Sequence, residues 1–381
     1  MNIFTKLRYL AEGYYYKFFG LPVVKCGSDS ASKRALLIYL SLPLKWKKND
    51  IRFNAHQNFR QSRQIAELLI QRGYQVEVVQ HNDKQYIPSG SYDLVISHSG
   101  VVAERLQALK KTGYRLCMRT GRYSSFVDKV TGQRYALLGE RRGKHLKWNK
   151  VGKANSVYDV YDAIACFDAN GTASATFSEV GIPVYAFRNY ANPMIEVPGN
   201  KAENANKGFI YLAGHLHVLK GLDWLIESFA QRPELDLYIC GRVPDDLMEI
   251  YQDELGLPNI HAMGFVRLTS KKFQNICKSV YWYVSASASE GCSGAVMDAM
   301  AAGLIPIVTE ACGVDTHGAG FTMQNPNIEL LGVKLDAAAA MSSAQIEEHS
   351  LLAREVIERW YQPEHFADDW SRILDQVEAQ T

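Results

Sequence analysis

Short apolar runs of strand length alternate along the chain with longer runs of helical spacing, and Gly, Pro or Asn punctuates most junctions. Residues 34–44 read as a first buried strand. Residues 57–73 read as a helix with Ile65, Leu68, Leu69 and Ile70 facing inward and Gly73 closing it, and residues 74–79 as the next strand. Further strands are expected at 93–100, 115–120, 162–167 and 184–187. A polar, breaker-rich stretch then leads to Gly208. From there the alternation resumes: strands at 208–213, 235–241 and 259–266, helices at 222–231 and 271–278, and a strand–loop–helix–strand unit over 284–308. Helical runs at 350–359 and 365–377 close the chain, the second placing Phe366, Trp370, Ile373, Leu374 and Val377 on one face. This pattern predicts an α/β protein of two Rossmann-like βαβ domains facing across a cleft. The expected parts are an N-terminal arm (1–32), a first domain (33–192), a second domain (193–350) and C-terminal helices (351–381), the last crossing back to the first domain.

A chain of 381 residues is long enough for two cores, and 47% apolar with 22% charged residues is the composition of a globular protein. The seven cysteines are scattered and form no metal-ligand spacing, so the expectation is a reducing compartment and no structural metal. No run of about 18 apolar residues occurs. The first twenty residues lack the apolar core and cleavage site of a signal peptide, which predicts a cytoplasmic location. These residues interleave Phe4, Leu7, Tyr14, Tyr15, Phe18 and Phe19 with Lys6, Arg8 and Lys17. That composition suits either an interfacial membrane helix or docking on the protein's own surface.

Net charge changes the picture. Residues 1–190 carry 29 Lys+Arg against 14 Asp+Glu, and the remainder 13 against 26. A first half this basic attracts anions, among them a phosphorylated acceptor or an anionic membrane. Residues 134–150 are its densest run, readable as a phosphate patch or a solvated loop. No recognisable nucleic-acid module organises these cations, and nucleic acid is not expected as a partner.

Chemistry concentrates at one junction. Glu290 stands where a strand releases the chain, and Gly291, Ser293 and Gly294 keep the following helix start free of bulk, so its amides suit a phosphate. Asp298 lies about two turns into that helix. Two carboxylates beside a phosphate seat suggest a nucleotide-sugar site. The alternative is a helix-start charge favourable to the dipole and a solvated helix residue. No G-x-G-x-x-G follows the first strand, which argues against a dinucleotide-binding dehydrogenase.

The stretch Glu290, seven residues, Asp298, then Met300-Ala301-Ala302-Gly303-Leu304-Ile305-Pro306-Ile307-Val308, resembles the donor-site signature of glycosyltransferase family 4, retaining enzymes of the GT-B fold. The family carries Glu where this chain has the shorter Asp298. The loop Gly214-His215-Leu216-His217-Val218-Leu219-Lys220-Gly221 is similar to the family's pyrophosphate-holding loop, with Lys220 matching its Lys and His215 standing in place of its Arg. The resemblance implies a metal-independent sugar transfer from a nucleotide donor. Lys220 and the amides near Gly291, Ser293 and Gly294 would hold the diphosphate, Glu290 the sugar hydroxyls and Asp298 the ribose, with Phe265 and Val266 near the base. His98, at the end of a strand, would orient donor sugar and acceptor, and Asn58, Arg119 and Arg122 would serve the acceptor side. The expected acceptor is a lipid-linked or phosphorylated glycan at a membrane's inner face, as in surface-polysaccharide assembly. Two further readings share the fold: a sugar-nucleotide epimerase or hydrolase, and a non-catalytic nucleotide-sugar or glycan-binding subunit.

Overall fold

A computed structural model describes residues 21–54, 56–83, 86–98, 103–106, 113–150 and 158–380. The amphipathic stretch 1–20 and the Ser99-Gly100 end of the strand expected at 93–100 lie outside these residues.

The first sheet contains β1 (Val24–Cys26), β2 (Lys33–Tyr39), β3 (Tyr74–Gln80), β4 (Leu94–His98), β5 (Tyr114–Arg119), β6 (Ala163–Phe167) and β7 (Val184–Phe187), in the order β1-β3-β2-β4-β5-β6-β7. Only β1 runs antiparallel, pairing with β3. Its presence corrects the reading of residues 1–32 as an arm, since the sheet already begins at Val24. β2 stops at Tyr39, earlier than the pattern predicted, because Pro43 cannot serve a ladder and instead sits in a 3-10 turn, Leu42–Lys45.

The second sheet is wholly parallel, with β8 (Gly208–Leu212), β9 (Asp236–Cys240), β10 (Ile260–Gly264), β11 (Trp282–Ser285), β12 (Ile305–Thr309) and β13 (Phe321–Met323) in the order β10-β9-β8-β11-β12-β13. Strand order reverses beside β8, between β8 and β11, and in the first sheet between β2 and β4. Ligands of doubly wound sheets bind at the carboxyl ends of strands at such points.

A helix at Ile328–Ala339, which the pattern did not reveal, follows β13, and the next helix begins at Ser343 rather than 350. Ser342 and Gln345 start it with a reciprocal capping box. The boundary placed at 350 therefore falls inside a helix. The last helix, Pro363–Glu378, packs on the 57–71 helix and β7 of the first domain. Its Phe366 and Trp370 meet Phe187 edge-on or tilted, at centroid separations of 5.8 and 5.0 Å.

Much of the charge asymmetry is consumed between the domains. The basic run near 134–142 is not a loop but the end of the helix Ser124–Arg142, closed by Gly143 in the left-handed conformation (φ 67°). Arg141 pairs with Asp223 and Glu227, Arg142 with Glu227 and Glu254, and Lys144 with Glu249. Arg134 is buried, donates to the Ala286 carbonyl and lies 3.5 Å over the Trp224 ring. At the other end, Arg72 reaches Asp375 and Glu378, and Arg188 reaches Asp369. The expected phosphate patch is thus largely an interdomain ion-pair network.

Asp223 is fully buried, and burial pushes its pKa up to about 6 despite Arg141 and Arg134. Removing Arg141 strands that carboxylate. Arg141→Met should cost about 3 kcal/mol in urea unfolding at neutral pH, and adding Asp223→Asn should recover most of it. A single variant within about 0.5 kcal/mol of wild type would show that the pair does not hold the interface.

Candidate functional site

Between the two sheets lies a cleft of 520 Å³. Its second-domain wall is the switch-point loops. The chain leaving β8 folds into a turn (Lys220 N–H to Leu216 O, 2.9 Å; Gly221 N–H to Val218 O, 3.0 Å) that presents His215 and Lys220. Gly221 sits at φ 79°, where a Cβ would lie 2.7 Å from the Ala286 carbonyl oxygen. The chain leaving β11 presents Glu290. Lys220 Nζ donates to Glu290 Oε1 at 2.6 Å, with both side chains largely buried. Burial lowers the Lys220 pKa but Glu290 more than offsets it, so the ammonium is held above its ordinary range.

The helix Gly294–Ala301 starts at the cleft. Ser293 is its N-cap residue but makes no side-chain cap, and the Ser293 N–H is taken by the Cys312 carbonyl at 3.0 Å. The open amides of the helix start therefore begin at Gly294 and Ala295, both in the cleft wall, where no preceding turn supplies acceptors. Gly291 is buried against the first domain, and a Cβ there would lie 2.6 Å from the Thr120 carbonyl oxygen and 3.0 Å from Phe167 Cβ. Phe265, 77% exposed, and buried Val266 follow β10 and line the cleft beyond the loops. Gly214 is exposed beside His215 and is not among the lining residues.

The first-domain wall comes from the loop after β2 and the start of the 57–71 helix: Asn54, His56, Gln57 and Asn58, with Thr120 beyond β5. His56 is the N-cap residue, its Nδ1 accepting the Asn58 N–H at 3.3 Å. Sequence reasoning missed His56 and Gln57. The available signal was a polar triplet before a helix at the sheet's first crossover.

Three expected residues stand differently. Arg122 does not face the acceptor: it is buried, with Nε donating to the Glu290 carbonyl (2.9 Å) and both terminal nitrogens spent on Thr172. Arg119 and His98 do not line the cleft. His98 Nε2 lies 3.1 Å from Thr120 Oγ1, and its ring packs against Tyr39 and His81. Burial, then His81 and Arg119, lower its pKa to about 3, so the imidazole is neutral and, among the described residues, reaches the cleft through Thr120.

Asp298 lines the cleft but is already engaged by protein groups. Its carboxylate is buried and receives Gln57 Nε2 at 3.1 and 3.2 Å and the Asn192 N–H at 2.7 Å. It thus ties the 57–71 helix to the crossover segment between domains, in the place where the motif implied a ribose contact. Among the described residues no group of three or more His, Cys, Asp or Glu is placed to hold a metal ion, and no helix is long and apolar enough to cross a membrane.

With the geometry in place, the comparisons agree on the fold. Residues 207–341 match the family model described as "Glycosyl transferases group 1". The fold is that of the GT-B glycosyltransferases. No curated protein matches the sequence. Among solved structures, sucrose-phosphate synthase from Thermosynechococcus elongatus is 13% identical with a TM-score of 0.63, over 92% of this chain and 100% of that one. WaaG, a glycosyltransferase involved in lipopolysaccharide biosynthesis, is 13% identical with a TM-score of 0.53, over 90% and 99%. TarM of S. aureus, solved as a mutant with fondaparinux, alpha-GlcNAc-glycerol and UDP, is 14% identical with a TM-score of 0.54, over 74% and 55%. This chain thus spans about half of TarM's length.

Burial pushes the Asp298 pKa from 3.8 up to about 7, only partly offset by its donors, the Asn192 N–H and the Gln57 amide. A raised pKa makes protonation stabilising: the gain is complete below the unfolded value and is lost as pH rises through the folded one. Wild type should therefore lose melting temperature between about pH 4 and 7, and Asp298→Asn should flatten that decline. Superimposable profiles would contradict the assignment.

Proposed function

We propose that this protein is a retaining glycosyltransferase that moves a sugar from a nucleotide-sugar donor to a hydroxyl of a glycan acceptor. The observation that carries the reading is the juxtaposition, on one wall of the cleft, of Lys220, Glu290 and the open start of the 294–301 helix. In this reading the diphosphate takes Lys220 and the Gly294 and Ala295 amides as donors. Charge developing on the leaving group then meets an ammonium and a helix dipole already in position. No metal is needed for that charge balance. Glu290, freed from Lys220, accepts hydrogen bonds from the sugar hydroxyls. His215 supplies one directed contact where the motif's Arg would supply a fork of donors.

Arg267 and Phe265 stand beyond the loops, beside the expected base pocket. Thr120, oriented by neutral His98, serves the sugar or acceptor from the opposite wall. The acceptor we favour is a lipid-linked or phosphorylated glycan, with the protein peripheral to an anionic membrane at the cytoplasmic face. Ion pairing across the interface weakens the charge argument for that membrane contact. The exposed Lys45, Lys47 and Lys48 keep it in play.

A second reading, a binding subunit without turnover, is favoured by one observation: Asp298 is engaged by Gln57 and Asn192. The two readings separate on donor kinetics. With a panel of UDP, GDP, dTDP, CMP and ADP sugars, the transferase reading predicts turnover of one donor and a product of unchanged anomeric configuration by proton NMR. Lys220→Ala should lower kcat/KM by about 100-fold. Binding without turnover, preserved in Glu290→Ala, would leave the subunit reading. Turnover unaffected by Lys220→Ala would remove the role assigned to this wall.

A further inference from the structure

A second cavity, of 240 Å³, opens farther along the 57–71 helix. Its walls are Arg60, Arg63, Gln64 and Glu67 on one face of that helix, Lys48 and Phe53 from the preceding turns, and Tyr190, Pro193 and Pro363 from the two segments that cross between domains. Three cations face one carboxylate. Glu67 is taken by Arg63 Nε at 3.0 Å, and Arg63 Nη1 donates to the Trp46 carbonyl at 2.9 Å.

Arg60 is different. It lies 5.6 Å over the Phe53 ring and gives one terminal nitrogen to Asn54 Oδ1 at 2.6 Å, while its Nε is buried and bonded to nothing among the described residues. The other terminal nitrogen, Nη1, has no hydrogen-bond partner among the described residues and is not sealed off as Nε is, so it is the donor that Arg60 offers an occupant. Asn54, which orients Arg60, also lines the main cleft, and Arg60 follows Gln57 by three residues, roughly 4.5 Å along the helix axis. The two cavities are therefore neighbours, one lined by the donor loops and the other by cations.

We infer that this cavity seats the anionic group of the glycosyl acceptor, a phosphate ester, held by Arg60 and Lys48 while the acceptor hydroxyl reaches the cleft. The inference rests on the transferase reading and adds the acceptor's chemistry and its contacts. Arg60 offers the Nη1 end of a guanidinium held in place by Phe53 and Asn54, and Lys48 supplies a mobile point charge from the exposed rim. The crossing segments form the remaining wall, so an occupant touches both connections between the domains.

The test uses the full-length protein and inorganic phosphate. Phosphate should raise the melting temperature of wild type in a saturable way, and should still do so in Lys220→Ala, where the donor wall's own affinity for phosphate is weakened. Added to Lys220→Ala, Lys48→Gln with Arg60→Gln should abolish that rise; with Lys220 intact the same pair should keep the rise given by the nucleotide sugar. Glu67→Gln, which removes the competing carboxylate, should shift the phosphate midpoint to lower concentration by several-fold.

No rise with phosphate in wild type, or an undiminished rise in the double variant, overturns the site. Loss of the nucleotide-sugar rise in wild type would instead strike the transferase reading. Sedimentation with phosphatidylglycerol vesicles separates the sources. If the double variant no longer sediments and phosphate competes in wild type, a lipid headgroup is the occupant. If sedimentation is unchanged while the phosphate effect is lost, a soluble phosphate ester is.

Discussion

The structure depends on first-domain side chains that bond the backbone carbonyls of the second domain's switch-point loops. Arg134 reaches the Ala286 carbonyl, Arg122 that of Glu290, Asn189 that of Cys292 and Asn170 that of Glu310. The first three belong to loops that leave a strand end and have no ladder partner there, whereas the Glu310 carbonyl also accepts the Gly313 N–H at 3.1 Å. Burying them against another domain without donors would cost on the order of 1–3 kcal/mol apiece. The donors therefore do more than join two domains. They fix where Glu290 and the 294–301 helix begin, so the site is assembled jointly.

That joint assembly explains the lopsided charge. Arginines concentrate in the first half because the loops they serve expose carbonyls, and because the helices of the second half turn Asp223, Glu227, Asp369 and Glu378 toward them. Within the cleft one cation and one anion neutralise each other at 2.6 Å, Lys220 against Glu290. A diphosphate offers Lys220 more negative charge than one carboxylate does. On the proposed reading, entry of such a ligand would free Glu290 for hydroxyl groups at the moment they arrive.

Strands such as β2 and β12 were legible because the apolar runs Ala35 to Leu40 and Leu304 to Val308 leave few alternatives, and the 57–71 helix because Ile65 and Leu69 repeat at helical spacing. Lys220, Glu290 and the 294–301 helix start were legible because glycines and a charge recur in a short stretch. The arginine roles were not. A guanidinium in sequence reads as solvated, and only the fold shows that Arg122 and Arg134 are buried. The engagement of Asp298 was hidden for the complementary reason: its partners, Gln57 and Asn192, lie far away in the chain and carry no charge to announce them.

The measurement that reaches the central claim most directly is amide hydrogen exchange of the intact chain with and without the nucleoside diphosphate of its donor. If Lys220 and the helix start receive the diphosphate, protection should appear at residues 214–220 and 291–296 and leave the 57–71 helix interior unchanged. Ligand-induced protection that avoids both segments would contradict the assignment of this wall as the donor site.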